Sequence, residues 1–243
     1  MPEEPPLLLP PAKDSPAADA EPAAAREPEL AELGLEPAEP LFVCKGDKWA
    51  RTVCEGEPFF KEHEGKQYCV LHYPGKEKSA AFDAALQKKL EAEDFNFRGV
   101  WFPEAANFTG FEFSAAATFR SATFKDQLSF SGSESFGNQT ALDLQFSRID
   151  KADLVSFHTV TLHPHWFVNI DPRKFVFTDV SWNWQAISID GEIQSLEAEK
   201  VSSPRRLLAI ACRQLAENAE TNNRYEEASQ FRYWAMDLAR QQK

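Results

Sequence analysis

The sequence has few glycines and few cysteines, and it contains no long apolar run. Its 243 residues include 10 Gly and 4 Cys. No run approaches the roughly 18 apolar residues that a membrane helix needs, and no charged segment followed by an apolar one opens the sequence. We therefore expect neither a membrane span nor a signal peptide. Four cysteines in such a chain are typical of reduced thiols or metal ligands, and we expect a cytoplasmic protein.

The sequence also lacks the short motifs of common enzyme sites. It has no glycine-rich phosphate loop, no Gly-x-Ser-x-Gly nucleophile elbow and no His-Glu-x-x-His helix. His163 and His165 flank Pro164, but no carboxylate or cysteine is adjacent to them in the sequence, so a turn at Pro164 is the simpler interpretation. We therefore expect that the protein is not an enzyme.

Negative charge is concentrated in the first 41 residues. The net charge of −12 comes from 38 acidic and 26 basic residues, and residues 1–41 hold 10 of the acidic and 2 of the basic ones. Pro, Ala and Glu dominate this segment, which has too few branched and aromatic side chains to offset chain entropy. We therefore expect residues 1–41 to form a disordered acidic tail.

Residues 42–78 contain three of the four cysteines and a closely spaced cysteine-histidine pair. Their order is Cys44-x9-Cys54-x14-Cys69-x2-His72. Two residues between Cys69 and His72 let a tight turn direct a thiolate and an imidazole to one ion, and the two upstream cysteines complete a Cys3His set for structural zinc. Such an ion would stabilise a segment too short for its own core. His63 is an alternative fourth ligand, and three reduced cysteines in a small core are the alternative without a metal.

Helices are predicted on both sides of the central region. Ser79 as a cap, followed by an apolar stripe at helical spacing, predicts a capping helix over residues 79–93. Ser203-Pro204 is a typical helix start, and a second stripe follows an Asn-Asn break. Residues 191–243 are therefore expected to form an antiparallel helix pair that caps the central region or docks on a partner. Cys212 falls on the first stripe of this pair and is expected to be core.

Phenylalanine recurs at steps of five and six residues in the central region. The series is Phe97, Phe102, Phe108, Phe113, Phe119, Phe124 and Phe130. Neither a strand period of two nor a helix period of 3.6 keeps such residues on one face, whereas a chain that turns a corner at each step does. Four such steps close a coil of about 22 residues, and successive coils then stack about 4.8 Å apart.

A coil of this length predicts which rings lie above one another. The expected ladders are Phe97 over Phe119, Phe102 over Phe124 and Phe146, Phe108 over Phe130, and Phe113 near Ser135 or Phe136 and then Phe157. The alternative is a Phe-rich sandwich of short strands, but that fold is typical of alternating patterns.

Residues 94–184 resemble the pentapeptide-repeat family. Small and short polar residues precede most of the rings, and Ala152-Asp153-Leu154 matches the family's five-residue unit most literally. The resemblance implies a mainly β fold, a right-handed quadrilateral β-helix, which we expect over residues 94–190. The Cys-x-x-His pair also resembles an element that often precedes the repeats in bacterial relatives. Six-residue steps and the stretch from Ser133 to Gln145 depart from the strict unit, so the number of regular coils stays open.

These features favour a non-enzymatic scaffold or protein-interaction module with a protein partner. A homodimer through the solenoid end or the helix pair is one form of such an interaction. The resemblance implies an alternative, because some family members mimic a DNA duplex and bind type II topoisomerases. A duplex carries a charge about every 1.7 Å, whereas residues 94–190 hold 11 acidic and 7 basic residues.

A second alternative is nucleic-acid binding through the lysine-rich Cys-His segment. Residues 42–93 hold 9 basic residues, but 9 acidic residues offset them. Nucleic-acid recognition depends on a basic surface, so we favour this alternative less than the scaffold.

Overall fold

Short parallel ladders of β-strands form the centre of the structure, and helices flank them. The structure is a computed structural model, and it describes residues 42–46, 53–54, 57–132, 136, 141–182, 184 and 188–241. The expected acidic tail, residues 1–41, lies outside the described residues. The described part is mainly a β-solenoid of about three turns with added α-helices.

A β-hairpin precedes the solenoid. Strands β1 (Lys61–His63) and β2 (Lys66–Tyr68) pair antiparallel. The turn between them places Gly65 at a φ of 72°, a conformation that glycine adopts without a Cβ clash. The hairpin leads directly into the predicted cysteine-histidine turn.

Helix α1 runs over Ser79–Glu91 and follows a 3-10 turn at Lys76–Lys78. The predicted helix is present, but the prediction that Ser79 caps it is wrong. Lys78 holds the cap position, and the Ser79 hydroxyl instead lies within hydrogen-bonding distance of the carbonyl oxygen of Lys76 and of a carboxylate oxygen of Glu104. Because the 3-10 turn runs directly into the helix, Ser79 is the first helical residue rather than the cap before it.

Nine short strands build the solenoid. They are β3 (Trp101–Phe102), β4 (Ala106–Thr109), β5 (Ala117–Thr118), β6 (Thr123–Phe124), β7 (Leu128–Ser131), β8 (Leu142–Asp143), β9 (Arg148–Ile149), β10 (Val155–His158) and β11 (Val176–Thr178) in the described residues. They form three parallel sheets with the orders β4-β7-β10-β11, β3-β6-β9 and β5-β8. Parallel pairing between successive coils contradicts the sandwich alternative, whose sheets are antiparallel.

Aromatic rings stack between successive coils at four predicted positions. The stacked pairs are Phe97 with Phe119, Phe102 with Phe124, Phe108 with Phe130, and Phe113 with Phe136, with ring centroids 4.7 to 5.3 Å apart. All eight rings are buried. The first coil has the predicted length of 22 residues, since β3 pairs with β6 and β4 with β7 at that spacing.

The predicted ladder position of Phe146 is wrong. Phe124 pairs instead with Ile149, 25 residues later. Phe146 has a φ of 60° and is 58% exposed. The second coil spans 25 residues from β6 to β9 and 27 from β7 to β10, against 22 in the first coil, and this extra length places Phe146 in a turn rather than in the interior. Residues 133–135 and 137–140 of this coil lie outside the described residues.

The predicted ladder position of Phe157 is also wrong. Phe157 stacks on Phe130 rather than continuing the Phe113 ladder, with the centroids of the two rings 5.3 Å apart. Phe177 stacks next on Phe157 at 5.5 Å. The longer second coil therefore shifts the later rings to a different side of the interior from the one that a constant 22-residue period predicts.

Three helices follow the last strand in the described residues. They are α2 (Ile189–Ala198), α3 (Pro204–Thr221) and α4 (Tyr225–Arg240). Helices α3 and α4 pack against each other as the predicted pair. Helix α2 was not predicted as a separate element, because its ten residues carry only a short apolar stripe. Among the described residues, none of the helices has the length and apolar character needed to cross a bilayer.

Both helical regions contact the ring stack. Phe82 of α1 packs edge-on against Phe102, with centroids 5.4 Å apart. At the other side, Phe231 of α4 packs edge-on against Trp182 at 4.9 Å, and Trp182 in turn contacts Phe177. These contacts continue the aromatic core from the coils into the helices.

A buried asparagine joins the helix pair to the last coil. The Asn218 side-chain amide of α3 donates to the carbonyl oxygens of Pro172, Arg173 and Phe175, at 2.8 to 3.1 Å. Asn218 is buried. Because these carbonyls belong to a loop of the solenoid, the amide supplies donors that a further strand would otherwise provide.

Candidate metal centre

Cys44, Cys54, Cys69 and His72 converge on one cluster beside the first coil. Their three sulfur atoms and one imidazole nitrogen all lie within 4.8 Å of one another. The Sγ atom of Cys69 lies 3.8 Å from that of Cys44 and 3.2 Å from that of Cys54. Nδ1 of His72 lies 2.9 Å from Sγ of Cys54 and 3.3 Å from Sγ of Cys69.

These distances can be compared with those of a zinc shell. Tetrahedral zinc, with Zn–S bonds of about 2.3 Å and a Zn–N bond of about 2.0 Å, separates its ligand atoms by about 3.5 to 3.8 Å. The observed separations are equal to these or slightly shorter, so a small outward movement of the side chains would admit one ion. The four residues that the sequence analysis grouped therefore lie close enough to bind a metal ion.

Local backbone contacts place the ligands. The Cys69–His72 segment is a turn in which the amides of His72 and Tyr73 both donate to the carbonyl oxygen of Cys69, at 3.2 and 3.0 Å. The amide of Cys69 also donates to Sγ of Cys44 at 3.4 Å. The turn therefore directs the Cys69 and His72 side chains to one side and positions Cys44 against it.

A second contact orients the ring of His72. Its Nε2 atom lies 3.0 Å from the carbonyl oxygen of Arg98 in the first coil. A carbonyl only accepts hydrogen bonds, so Nε2 carries a hydrogen and Nδ1 faces the cysteines. Metal-binding histidines commonly donate their second ring N–H in this way, which orients the ring and raises its basicity.

The three thiols do not ionise independently. Hydrogen bonds from Cys54 and Cys69 lower the pKa of the Cys44 thiol below its usual value. Hydrogen bonds with Cys44 and Cys69, together with burial, raise the pKa of Cys54. Ionisation of Cys44 is thus favoured and ionisation of Cys54 is disfavoured. A bound cation would favour ionisation of Cys54 as well, because it stabilises all three thiolates.

Lys78 is buried behind the cysteine-histidine turn. Its ammonium group donates to the carbonyl oxygens of Val70 and Leu71 at 2.8 and 2.9 Å and lies 4.5 Å from the ring centroid of Phe82. Burial lowers its pKa to about 7, although the nearby thiols Cys69 and Cys44 oppose that shift. A Cys3His shell around Zn²⁺ has a net charge of about −1, which favours the charged form of Lys78.

The alternative ligand and the fourth cysteine lie elsewhere. His63 is on β1, exposed, with its ring 6.0 Å from that of Tyr73, and it is not part of the cluster. Cys212 is buried in α3, as predicted for a core residue.

A carboxylate that no sequence pattern indicated joins the His163–His165 pair. The expected turn is present as a 3-10 turn at Pro164–Phe167. Glu192 of α2 lies 2.9 Å from Nδ1 of His163 and 2.8 Å from Nδ1 of His165. The His-x-His spacing was a visible signal, but the carboxylate comes from a different element 27 residues after His165.

Comparisons of the chain with protein-family models, with curated proteins and with solved structures gave no match. What the structure shows is a β-solenoid of about three turns that is rich in buried phenylalanine.

Proposed function

We propose that this protein is a non-enzymatic scaffold for protein–protein interaction, with structural zinc bound by Cys44, Cys54, Cys69 and His72. The observation that carries the proposal is the closed set of four ligands, in which the ring of His72 is oriented by the carbonyl oxygen of Arg98. A metal ion with four protein ligands has no open position for substrate or water, so its role is to hold the fold together. Zinc would fasten the segments that carry Cys44 and Cys54 to the Cys69–His72 turn.

The proposal includes a right-handed quadrilateral β-helix of the pentapeptide-repeat type. Three parallel sheets and the parallel bridge between Phe113 and Phe136 supply four sets of contacts between successive coils. Connections between parallel strands of one sheet are almost always right-handed in proteins. The 22-residue spacing of the first coil fits four repeat units of five or six residues.

Charge on the solenoid surface does not favour the DNA-mimic alternative. Asp126 pairs with Lys151 at 2.8 Å, and Asp150 pairs with Lys125. These pairs join neighbouring coils and neutralise their acidic groups locally. Mimicry of a duplex needs a dense surface charge of one sign.

Three lysines near the metal cluster are already paired or buried and so do not favour nucleic-acid binding. Lys61 pairs with Glu77 at 2.8 Å, Lys88 pairs with Glu57 at 3.2 Å, and Lys78 is buried. These groups are already matched by acidic partners or removed from the surface. A salt-dependent mobility shift with duplex or single-stranded nucleic acid would reverse this preference.

The proposal places the protein partner on the outer face of α4. Tyr225, Tyr233 and Met236 are 64%, 56% and 55% exposed. Their spacing of eight and three residues puts them on one side of the helix. Aromatic and methionine side chains are enriched at interfaces between proteins, and a second copy of this chain is one form that the partner can take.

Affinity capture with crosslinking tests this proposal. The bait is the full chain, compared with the double variant Tyr233→Ser/Met236→Ser and with the control Leu154→Ser/Val176→Ser, which changes exposed apolar residues of the solenoid. We expect a partner that crosslinks to α4 in the parent and in the control and is lost in the α4 variant. Equal recovery with all three baits, or crosslinks confined to the solenoid, would contradict the placement on α4.

A further inference from the structure

A second cluster of ligand-type side chains lies between the solenoid and α2. His163, His165 and Glu192 each offer one ligand atom, and these atoms lie within 4.8 Å of one another. The cluster shares no residue with the cysteine site. It also has a different chemistry, since its donors are two imidazoles and a carboxylate.

The local structure holds these three side chains in place. Pro164 begins the 3-10 turn and separates the two histidines, whose rings lie 5.4 Å apart. The amide of His165 donates to a carboxylate oxygen of Glu192 at 2.8 Å, in addition to the contact through Nδ1. The carboxylate is therefore oriented by the backbone as well as by the rings.

Glu192 is a buried carboxylate that, among the described residues, accepts side-chain hydrogen bonds from these two histidines. A buried anion of this kind needs positive charge nearby, and a bound cation supplies it.

We propose that His163, His165 and Glu192 bind one divalent transition-metal ion, of which zinc is the type case. Two imidazole nitrogens and one carboxylate oxygen form a known three-ligand set for zinc, and this set leaves a further position open for water. The His163 side chain is 34% exposed, which provides a route for the ion and room for that water. The site thus differs from the closed cysteine site.

Binding requires a change of tautomer but no net loss of a proton from neutral histidines. In the described arrangement each Nδ1–H donates to a carboxylate oxygen, because a carboxylate only accepts. When the ion binds, the hydrogen of each ring moves to Nε2, and the Nδ1 lone pairs then point to the metal. Glu192 exchanges two hydrogen bonds for a bond to the ion.

The consequence of the site is a metal link between α2 and the coil that carries the histidines. At the other end of α2, Glu199 accepts hydrogen bonds from Arg120 and Gln145 of the solenoid. Helix α2 would then be fastened at both ends, by polar contacts at Glu199 and by the ion at Glu192. Loss of the ion leaves the Glu199 contacts intact.

Metal titration of the full chain tests the proposal. The chain is treated with chelator and titrated with Zn²⁺, and the bound metal is counted by elemental analysis and calorimetry. We expect two equivalents for the parent and one for Glu192→Gln and for His163→Gln. The control Glu197→Gln makes the same change at an exposed position of α2 and should keep two equivalents.

A cobalt titration assigns the equivalents to their sites. Thiolate-to-cobalt charge-transfer absorption reports only the cysteine site, so it should persist in Glu192→Gln and disappear in Cys69→Ser. Cys69→Ser should retain one equivalent that is lost when His163→Gln is added. Charge-transfer absorption in Glu192→Gln also shows that the variant is folded at the N-terminal site.

Several results would overturn the proposal. A parent that binds only its cysteine-dependent equivalent would exclude a second site. So would two equivalents in both Glu192→Gln and His163→Gln. Should Glu192→Gln fail to fold, the count for His163→Gln decides, because His163 is partly exposed and its replacement leaves the carboxylate in place. If only the cysteine site fails to bind metal, the charge-transfer band will be absent but the histidine-dependent equivalent of metal will remain. That result would contradict the proposed zinc site and not this one.

Discussion

The rings of Phe102 and Phe124 lie almost parallel, with centroids 4.7 Å apart and an angle of 13° between their planes. This spacing is close to the separation of adjacent strands in a sheet, about 4.8 Å. The backbone pairing of β3 with β6 therefore brings the two rings into contact without a distortion of either coil. The hydrogen-bonded ladder and the aromatic stack thus support the same register.

Phe124→Ala should destabilise the protein by about 3 to 5 kcal/mol, because it opens a cavity in a stack that has no other side chain to fill it. Phe124 is fully buried. Phe146→Ala is the matched control, since Phe146 is 58% exposed, and it should change the free energy of unfolding by less than about 0.5 kcal/mol. Chemical denaturation measures both. Equal stability of the two variants would show that Phe124 is not an interior ring.

Cys69→Ala and His72→Ala should each lower the zinc content by one equivalent relative to the parent, since either change removes a ligand of the closed shell. Elemental analysis of the purified chain measures this loss. Cys212→Ala removes a buried thiol outside the cluster and should leave the zinc content unchanged. An unchanged metal content in the Cys69 and His72 variants would end the assignment of these ligands.

Lys78→Met should weaken zinc binding and destabilise the protein by about 2 kcal/mol, because the carbonyls of Val70 and Leu71 lose their buried donor. The loss of the positive charge also leaves a negatively charged metal shell without compensation. Competition with a chelator gives the zinc affinity, and thermal unfolding gives the stability. Lys88→Met changes an exposed lysine of α1, the helix that Lys78 precedes, and should alter neither quantity; a matching effect in both variants would refute the role of Lys78.

Asn218→Ala should destabilise the contact between the helix pair and the last coil by about 2 kcal/mol, since three solenoid carbonyls lose a donor. Hydrogen exchange should then increase in α3, α4 and the loop from Pro172 to Phe175. Gln214→Ala, one turn earlier on α3, is the control and should leave this exchange pattern as in the parent. Unaltered exchange in Asn218→Ala would mean that packing alone holds the helices in place.

The regular part of the solenoid could be predicted because the spacing of the rings is local information. From Phe97 to Phe130 each step is five or six residues, and that spacing determines which rings meet one coil later. The prediction failed at Phe146, since a longer second coil changes every later register and the period of the rings carries no measure of that length. The local spacing of the rings therefore predicts a regular coil, but it does not predict where extra residues lengthen a coil.

At the candidate sites, too, local spacing predicted some residues and could not predict others. Cys69 and His72 share a turn, so their spacing alone predicted that they face one ion. Cys44 and Cys54 were grouped with them because zinc prefers four such ligands, and the structure brings them together. Glu192 could not be found in this way. It belongs to a helix with a short apolar stripe, and only the folding of α2 against the solenoid places it beside His165.

A stack of parallel coils has no inherent last member, because the backbone of its final strand can always pair with another. In this protein the side chain of Asn218 donates hydrogen bonds to the carbonyl oxygens of Pro172, Arg173 and Phe175. Trp182 packs against Phe177, the last ring of the stack. The number of coils is thus limited by the helical segment fused after them rather than by the repeats. A chain with more or fewer coils could end in the same helical segment, and contacts of this kind occupy backbone groups with which the edge of another chain could pair.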